Sequence, residues 1–268
     1  MTRLGQHFLA DRNLLRKIVA ALDPQPGDVV IEIGPGEGSL TGILAPLVQR
    51  VVAIEKDRGL ASDCGMRNAE CGIENVEIVV GDALHVDWHT SVSHSALHIP
   101  HSAFKVVGNI PYYITSPLIA KALTPPLPAC VVFLVQREVA DRLAAPPGSK
   151  QYGALSVGVQ AVCRVEKLFV VKAGAFRPAP RVDSAVVRFT PRADPVITPA
   201  EAAAFRTFVT ACFSRRRKQL RNAVMAATGR PAAEVSALLK ALELPPTARP
   251  ETLAPEVFVR LLRASPAL

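Results

Sequence analysis

The chain is short of acid, of aromatic rings and of long apolar runs, and each shortage excludes something. Only 23 Asp and Glu stand against 31 Lys and Arg, a formal charge of +8. That excess argues against a cationic partner and leans towards a polyanion, of which nucleic acid is the commonest. The longest apolar runs, such as 131–135, are strand-sized and far too short to span a bilayer. The opening Met1-Thr2-Arg3-Leu4-Gly5-Gln6 carries no apolar stretch of the secretory kind. Five cysteines (Cys64, Cys71, Cys130, Cys163 and Cys212) are odd in number and never spaced C-x-x-C. This argues against a disulfide framework or a structural zinc site and fits a reducing compartment. The expectation is a soluble cytoplasmic protein with no membrane partner, acting as a monomer.

What is present is a core. Hydrophobic residues make up 49% of 268 residues, enough for one large α/β domain and a small appendage. Apolar residues at Leu14, Leu15, Ile18, Val19 and Leu22 predict a helix over 11–22 with Asp11 as its cap. Val29-Val30-Ile31-Glu32-Ile33 reads as a strand buried on both faces. Further strands are expected at 50–55, 76–80, 105–108 and 129–135, with helices near 39 onward, 58–69, 116–123 and 136–143. Such alternation predicts a doubly wound, mostly parallel sheet. Two more strands, 168–171 and 184–189, are joined by a Pro-rich loop and should pair antiparallel at one edge, making seven. Beyond residue 195 only helices are expected, over 201–212, 216–227, 232–242 and 255–262. The chain is therefore divided into a catalytic domain, 1–195, and a helical domain, 196–268.

Glu32-Ile33-Gly34-Pro35-Gly36-Glu37-Gly38 follows the first strand of that sheet and precedes a helix. Its G-x-G-x-G spacing differs from the G-x-G-x-x-G that cradles a pyrophosphate. A short loop with an acid in its middle suits a ligand without phosphates, and S-adenosylmethionine, with its cationic sulfonium, is such a ligand. Glu55 ends the next strand, where an acid can accept both ribose hydroxyls, and Asp82 in Gly81-Asp82-Ala83 can accept from an adenine amine. Each alone reads equally well as a turn glycine or a solvent-facing acid. Their order at successive strand ends is what points to a cofactor site.

Gly108-Asn109-Ile110-Pro111-Tyr112 follows the fourth strand, at the same rim. The N6 amine of adenine is a poor nucleophile, because its lone pair is delocalised into the ring. Accepting its hydrogens directs the lone pair outward, and both the Asn109 side-chain carbonyl and the Ile110 backbone carbonyl, fixed by Pro111, can do so. Tyr112 can stack on an extruded base. Taken alone, Asn-x-Pro-Tyr is an ordinary turn; with three other strand-end motifs in one sheet it reads as a catalytic loop.

These segments, with Gly5-Gln6-His7-Phe8-Leu9, resemble the motifs of the ribosomal RNA adenine N6-dimethyltransferases. Phe176-Arg177-Pro178-Ala179-Pro180-Arg181-Val182-Asp183-Ser184-Ala185-Val186-Val187-Arg188 is similar to the signature of their small-subunit branch, tied to kasugamycin sensitivity. Phe213-Ser214-Arg215-Arg216-Arg217-Lys218-Gln219-Leu220-Arg221-Asn222 resembles that branch's C-terminal motif. The resemblance covers nearly the whole chain and implies a class I, Rossmann-like S-adenosylmethionine-dependent methyltransferase. It implies that His7, Leu9, Gly34, Gly36, Glu55, Asp82 and Asn109 contact the cofactor. It also implies that Phe176 forms the second face of a base slot opposite Tyr112. The implied substrate is two neighbouring adenosines near the 3′ end of 16S ribosomal RNA, each methylated twice, in an immature small subunit that the enzyme checks and then leaves. His7 stands where many members carry Asn, and only Met1-Thr2-Arg3 precede the first motif's leading residues, where relatives often carry a basic extension.

Arg215, Arg216, Arg217, Lys218 and Arg221 open an expected helix, and on a basic chain phosphate contact is the better reading than a merely solvated face. Arg177 and Arg181 flank the base slot and would position RNA rather than read it. His85, His89, His94, His98 and His101 lie with Trp88 in a polar stretch read as a surface loop, not a metal site. The rival readings are the sister branch acting on 23S ribosomal RNA, a DNA adenine methyltransferase, and a non-catalytic factor that keeps the fold to hold RNA. The signatures at 176–188 and 215–222 argue against the first. The lack of a sizeable recognition insertion argues against the second, and the intact glycine loop and Asn109 against the third.

Overall fold

A computed structural model describes residues 7–93, 104–214 and 219–265. They form two compact units, Met1–Ala140 with Glu166–Pro191, and Asp141–Val165 with Arg192–Leu268. The sequence pattern suggested a single boundary near residue 195. Instead the chain leaves the first unit after Ala140, returns at Glu166 and leaves again after Pro191. Ala145, Tyr152, Val157 and Ala161 belong to a buried cluster with Phe205, Phe208 and Phe258, a long-range association that local periodicity does not encode.

The first unit carries the sheet, apart from the first three residues of one edge strand, 163–165, which belong to the second. Among the described residues its strands are β1 (Phe8–Leu9), β2 (Val29–Ile33), β3 (Arg50–Glu55), β4 (Val76–Val80), β5 (Phe104–Asn109), β6 (Cys130–Gln136), β7 (Cys163–Val171), β8 (Phe176–Arg177) and β9 (Ser184–Pro191). Seven of them form one sheet in the order β4-β3-β2-β5-β6-β9-β7, and β1 pairs with β8 in a separate ribbon. The neighbours from β4 to β6 run parallel, and β9 runs antiparallel to β6. All five residues of β2 are buried, as expected for a central parallel strand covered on both faces.

Helix Arg12–Leu22 starts where Asp11 Oδ1 accepts from the amides of Asn13 (2.8 Å) and Leu14 (3.2 Å). It buries the stripe Leu15, Ile18, Val19 and Leu22. Chain order reverses between β2 and β5: from β2 the strands step outward to β3 and β4, then restart on β2's other side. Ligands of open α/β sheets bind in the crevice at the carboxyl ends on either side of such a switch. Ile33 pairs with Gly108 there, so Gly34 and Asn109 emerge side by side. A Cβ on Gly108 would meet the Ile33 carbonyl oxygen at 2.8 Å, so only glycine allows the two strand ends to approach this closely.

The second unit is helical, with Ala154–Gln160, Ala202–Phe213, Leu220–Thr228, Ala232–Ala241 and Pro255–Arg263. Tyr152 is fully buried in it, and its hydroxyl donates to the Leu253 carbonyl at 2.9 Å, satisfying the polar end of the ring. Gly229, at φ 69°, ends Leu220–Thr228 in the left-handed cap that glycine favours.

Candidate active site

One cavity opens at the switch point, lined by His7, Phe8, Gly34, Gly36, Glu55 and Asp82 and by the turn 109–114. Gly36 adopts φ +56°, and a Cβ there would lie 2.8 Å from the Phe8 ring, so the loop backbone is both left-handed and pressed against an aromatic wall.

Glu55 is 3% exposed. Its Oε2 accepts from the Gly36 amide at 3.2 Å and its Oε1 from the Asp57 amide at 2.9 Å. Each carboxylate oxygen accepts more than one hydrogen bond, so both retain capacity for ligand hydroxyls. Asp82 follows β4. Its Oδ1 accepts from the Leu84 amide and its Oδ2 from Lys56 Nζ, both at 2.9 Å. The Lys56 hydrogen bond, reinforced by the Leu84 amide, holds the Asp82 carboxyl below its ordinary value.

Beneath this turn Lys121 Nζ donates to the carbonyls of Leu84 (2.9 Å) and Val86 (2.5 Å), with the Trp88 ring centroid 5.3 Å away. Trp88 is buried and donates to the Ala83 carbonyl at 2.9 Å. The start of the stretch read as a surface loop is therefore a packed buttress of the Asp82 turn, because an indole with a satisfied N–H is stable inside. His85 is exposed 3.8 Å from Asp82, and His89 packs edge-on to Phe104. His94, His98 and His101 lie outside the described residues.

Asn109 ends β5. Its Nδ2 donates to the His7 carbonyl at 2.8 Å, and among the described residues nothing donates to its Oδ1. Ile110 is held by its own amide, which donates to the Leu134 carbonyl at 3.1 Å. The Tyr112 hydroxyl and Ser184 Oγ share a hydrogen bond of 2.9 Å, anchoring that ring to the first residue of β9. The His7 ring lies 6.0 Å from the Tyr112 ring at a 31° tilt, and His7 Nδ1 is 2.7 Å from the Pro178 carbonyl, to which it donates.

Two of the expected contact residues have buried side chains. Leu9 and Phe176 pair across β1 and β8 and point into the core, at 6% and 1% exposure. Phe8 lines the cavity in their stead. Leu9 borders an adjoining hollow with Phe8, Gly34 and Asn109, while Phe176 lines neither that hollow nor the cavity. The sequence reading also missed Lys56 and Tyr113. Lys56 was legible as the residue after a strand-ending acid, and Tyr113 as the neighbour of Tyr112.

Among the RNA-facing candidates, Arg177 and Arg181 are both exposed, and Arg177 donates to the carbonyls of Gly174 (3.2 Å) and Phe176 (3.0 Å). Arg221 is half-buried in Leu220–Thr228, and its buried Nε has no hydrogen-bond partner among the described residues. Arg215, Arg216, Arg217 and Lys218, with Gly5 and Gln6 of the first motif, lie outside the described residues. No helix among the described residues is long and apolar enough to cross a membrane.

Residues 1–247 match the family described as "Ribosomal RNA adenine dimethylase". The chain belongs to that family. It is 43% identical over 259 residues to "Ribosomal RNA small subunit methyltransferase A" of Xanthomonas campestris pv. campestris (strain B100), covering 96% of this chain and 93% of the relative. The protein of the same description from Nitrosococcus oceani is 41% identical over 262 residues, covering 97% and 94%. Of solved structures, a dimethyladenosine transferase from Plasmodium falciparum superposes with a TM-score of 0.82 at 30% identity, over 95% of this chain and 96% of that one. The 23S rRNA methyltransferase ErmE superposes at 0.74 with 28% identity, over 97% and 99%. This member of the dimethylase family is thus a methyltransferase on a doubly wound α/β sheet.

Proposed function

We propose that this dimethylase transfers methyl groups from S-adenosylmethionine to N6 of two adjacent adenosines in the 3′-terminal hairpin of 16S ribosomal RNA, giving N6,N6-dimethyladenosine. Its substrate is the RNA within the immature small subunit, met in the cytoplasm by the monomeric enzyme. The observation that carries this reading is the orientation of Asn109, whose amide is spent on the His7 carbonyl while its oxygen is left to accept.

The cavity residues fit S-adenosylmethionine. Glu55 keeps acceptor capacity on both oxygens for ribose hydroxyls, and Asp82 can accept from the cofactor's adenine amine. Two carboxylates against the single ammonium of Lys56 suit a ligand bearing positive charge, and among the described residues no arginine lines the cavity to clamp a pyrophosphate. The bound donor supplies a methyl carbon made electrophilic by positive sulfur.

The protein's own work is on the acceptor. Asn109 Oδ1 and the Ile110 carbonyl accept the two amine hydrogens, turning the nitrogen lone pair out of conjugation. The Tyr112 ring, fixed through Ser184, stacks on the extruded adenine. No strong base is needed, because the nitrogen becomes acidic once methylated and releases its proton to water. Arg177 and Arg181 contact phosphate, and so do Arg215, Arg216, Arg217, Lys218 and Arg221 of the C-terminal part.

The likeness to small-subunit relatives over nearly the full chain favours 16S over 23S RNA. The test is to incubate unmethylated small-subunit particles, and separately naked 23S RNA, with labelled S-adenosylmethionine and to map the modified nucleotides. Label on two adjacent adenosines of the particle supports the proposal. Label on 23S RNA alone, or on neither, overturns it.

A further inference from the structure

We infer that Tyr113 is a stacking platform for the base that neighbours the extruded adenosine, a contact distinct from the Tyr112 slot. This rests on the base-extrusion reading above and deepens it. Tyr113 is 63% exposed, the most exposed large apolar side chain among the described residues. It nevertheless borders the same cavity as Tyr112 and Asn109.

The two tyrosines are treated oppositely by the fold. Tyr112 is half-buried with its hydroxyl bonded to Ser184, whereas Tyr113 presents its ring to water and makes no hydrogen bond to a described residue. A single exposed ring is ordinary on a protein surface. What distinguishes this one is a rigid mount on the lining of the cavity that Asn109 and Tyr112 share. Tyr112–Ile114 is one 3-10 turn, closed by the Ile114 amide donating to the Pro111 carbonyl at 3.1 Å. It runs directly into helix Thr115–Ala122, which buries Leu118 and Ile119. The backbone under Tyr113 is therefore braced on both sides.

Extruding one base leaves the face of the next base bare, and aromatic rings at the exit recover that stacking without reading sequence. Lys56 lies at the same mouth with its side chain 55% exposed. Its ammonium is held above its ordinary value mainly by Asp82 and, to a lesser degree, by the nearby Tyr113 phenol. A cation beside an exposed ring is the pairing that nucleotides use, base on the ring and phosphate towards the charge.

The test compares Tyr113→Ala, Tyr113→Phe and Tyr113→Trp in the full chain on unmethylated small-subunit particles, measuring kcat and KM for particles, donor Kd and Tm. Stacking predicts that Tyr113→Ala raises KM about tenfold while donor Kd, Tm and kcat hold. Phe and Trp should restore the wild-type KM. An unchanged KM in the alanine variant overturns the inference. So does loss in the phenylalanine variant, which would assign the contact to the hydroxyl, and so does a weakened donor Kd, which would make the ring a wall of the donor site. Failure of the underlying reading shows separately, as wild-type protein that methylates neither adenosine of the particle, and that result removes both.

Discussion

The side-chain amide of Asn109 donates to the backbone carbonyl of His7 at 2.8 Å, across 102 positions of sequence. One hydrogen bond thereby decides which end of the amide faces the cavity. It also makes the orientation testable. Asn109→Ala should cut methyl transfer by two or more orders of magnitude, on the order of what a lost oxyanion-type contact costs, while particle binding holds. Asn109→Asp keeps an acceptor but sets a carboxylate against the His7 carbonyl, so it should also lose activity. Single-turnover transfer and particle binding, measured on both variants, check this; an active aspartate variant would remove the His7 bond from the argument.

The Asp82 carboxylate is shared between Lys56 and the cavity. Replacing Asp82 with Ala should weaken S-adenosylmethionine binding roughly tenfold, the order expected for a hydrogen bond to a charged group. Calorimetric titration of the donor reads this directly, and unchanged affinity would take Asp82 out of the cofactor contacts.

Glu32 is a carboxylate in the middle of a fully buried strand, relieved by the Thr41 hydroxyl donating to its Oε2 at 2.6 Å. Burial outweighs that bond and pushes its pKa up to about 7 from 4.5, with Glu55 adding to the rise. An acid raised on folding contributes stability in full below its unfolded value and loses it as pH climbs through the folded one. Stability should therefore fall between about pH 4.5 and 7 by an amount on the order of 2–3 kcal/mol from this group. Glu32→Gln should flatten that slope in urea titrations run across the range. An equal slope in the variant would mean that another group carries it.

Gly36 has both a positive φ and a Phe8 ring 2.8 Å from where its Cβ would sit. Gly36→Ala should displace the loop from Phe8 and abolish measurable donor binding, while Gly42→Ala, with open space around it, should bind normally. Donor affinity of the pair separates a local cradle from a general effect of alanine.

Arg177 and Arg181 are both exposed, but Arg177 spends donors on the carbonyls of its own loop. Arg181→Glu should weaken particle binding and lower the salt dependence by about one unit of log–log slope; Arg177→Glu should do less. Binding at several salt concentrations distinguishes them, and the reverse ranking would relocate the RNA path.

Most of the larger strands and helices were legible from adjacent residues, because each has its own period: the buried run of β2 and the stripe of Arg12–Leu22 with its Asp11 cap are local patterns, whereas the two-residue β1 and β8 and helix Ala154–Gln160 were not. The sequence by itself also determined which glycines and acids end the strands, since parallel strands bring their carboxyl ends to one rim whatever the connections between them. Tertiary structure alone decided which of neighbouring side chains faces the cavity. The pairing of β1 with β8 turned Phe8 outward and buried Leu9 and Phe176, a one-residue phase set by a partner more than 160 positions away. It decided too that residues 141–165 join the C-terminal helices, and that Trp88 and Lys121 brace the Asp82 turn. Those outcomes depend on contacts between distant segments, and a local pattern carries no record of a distant neighbour.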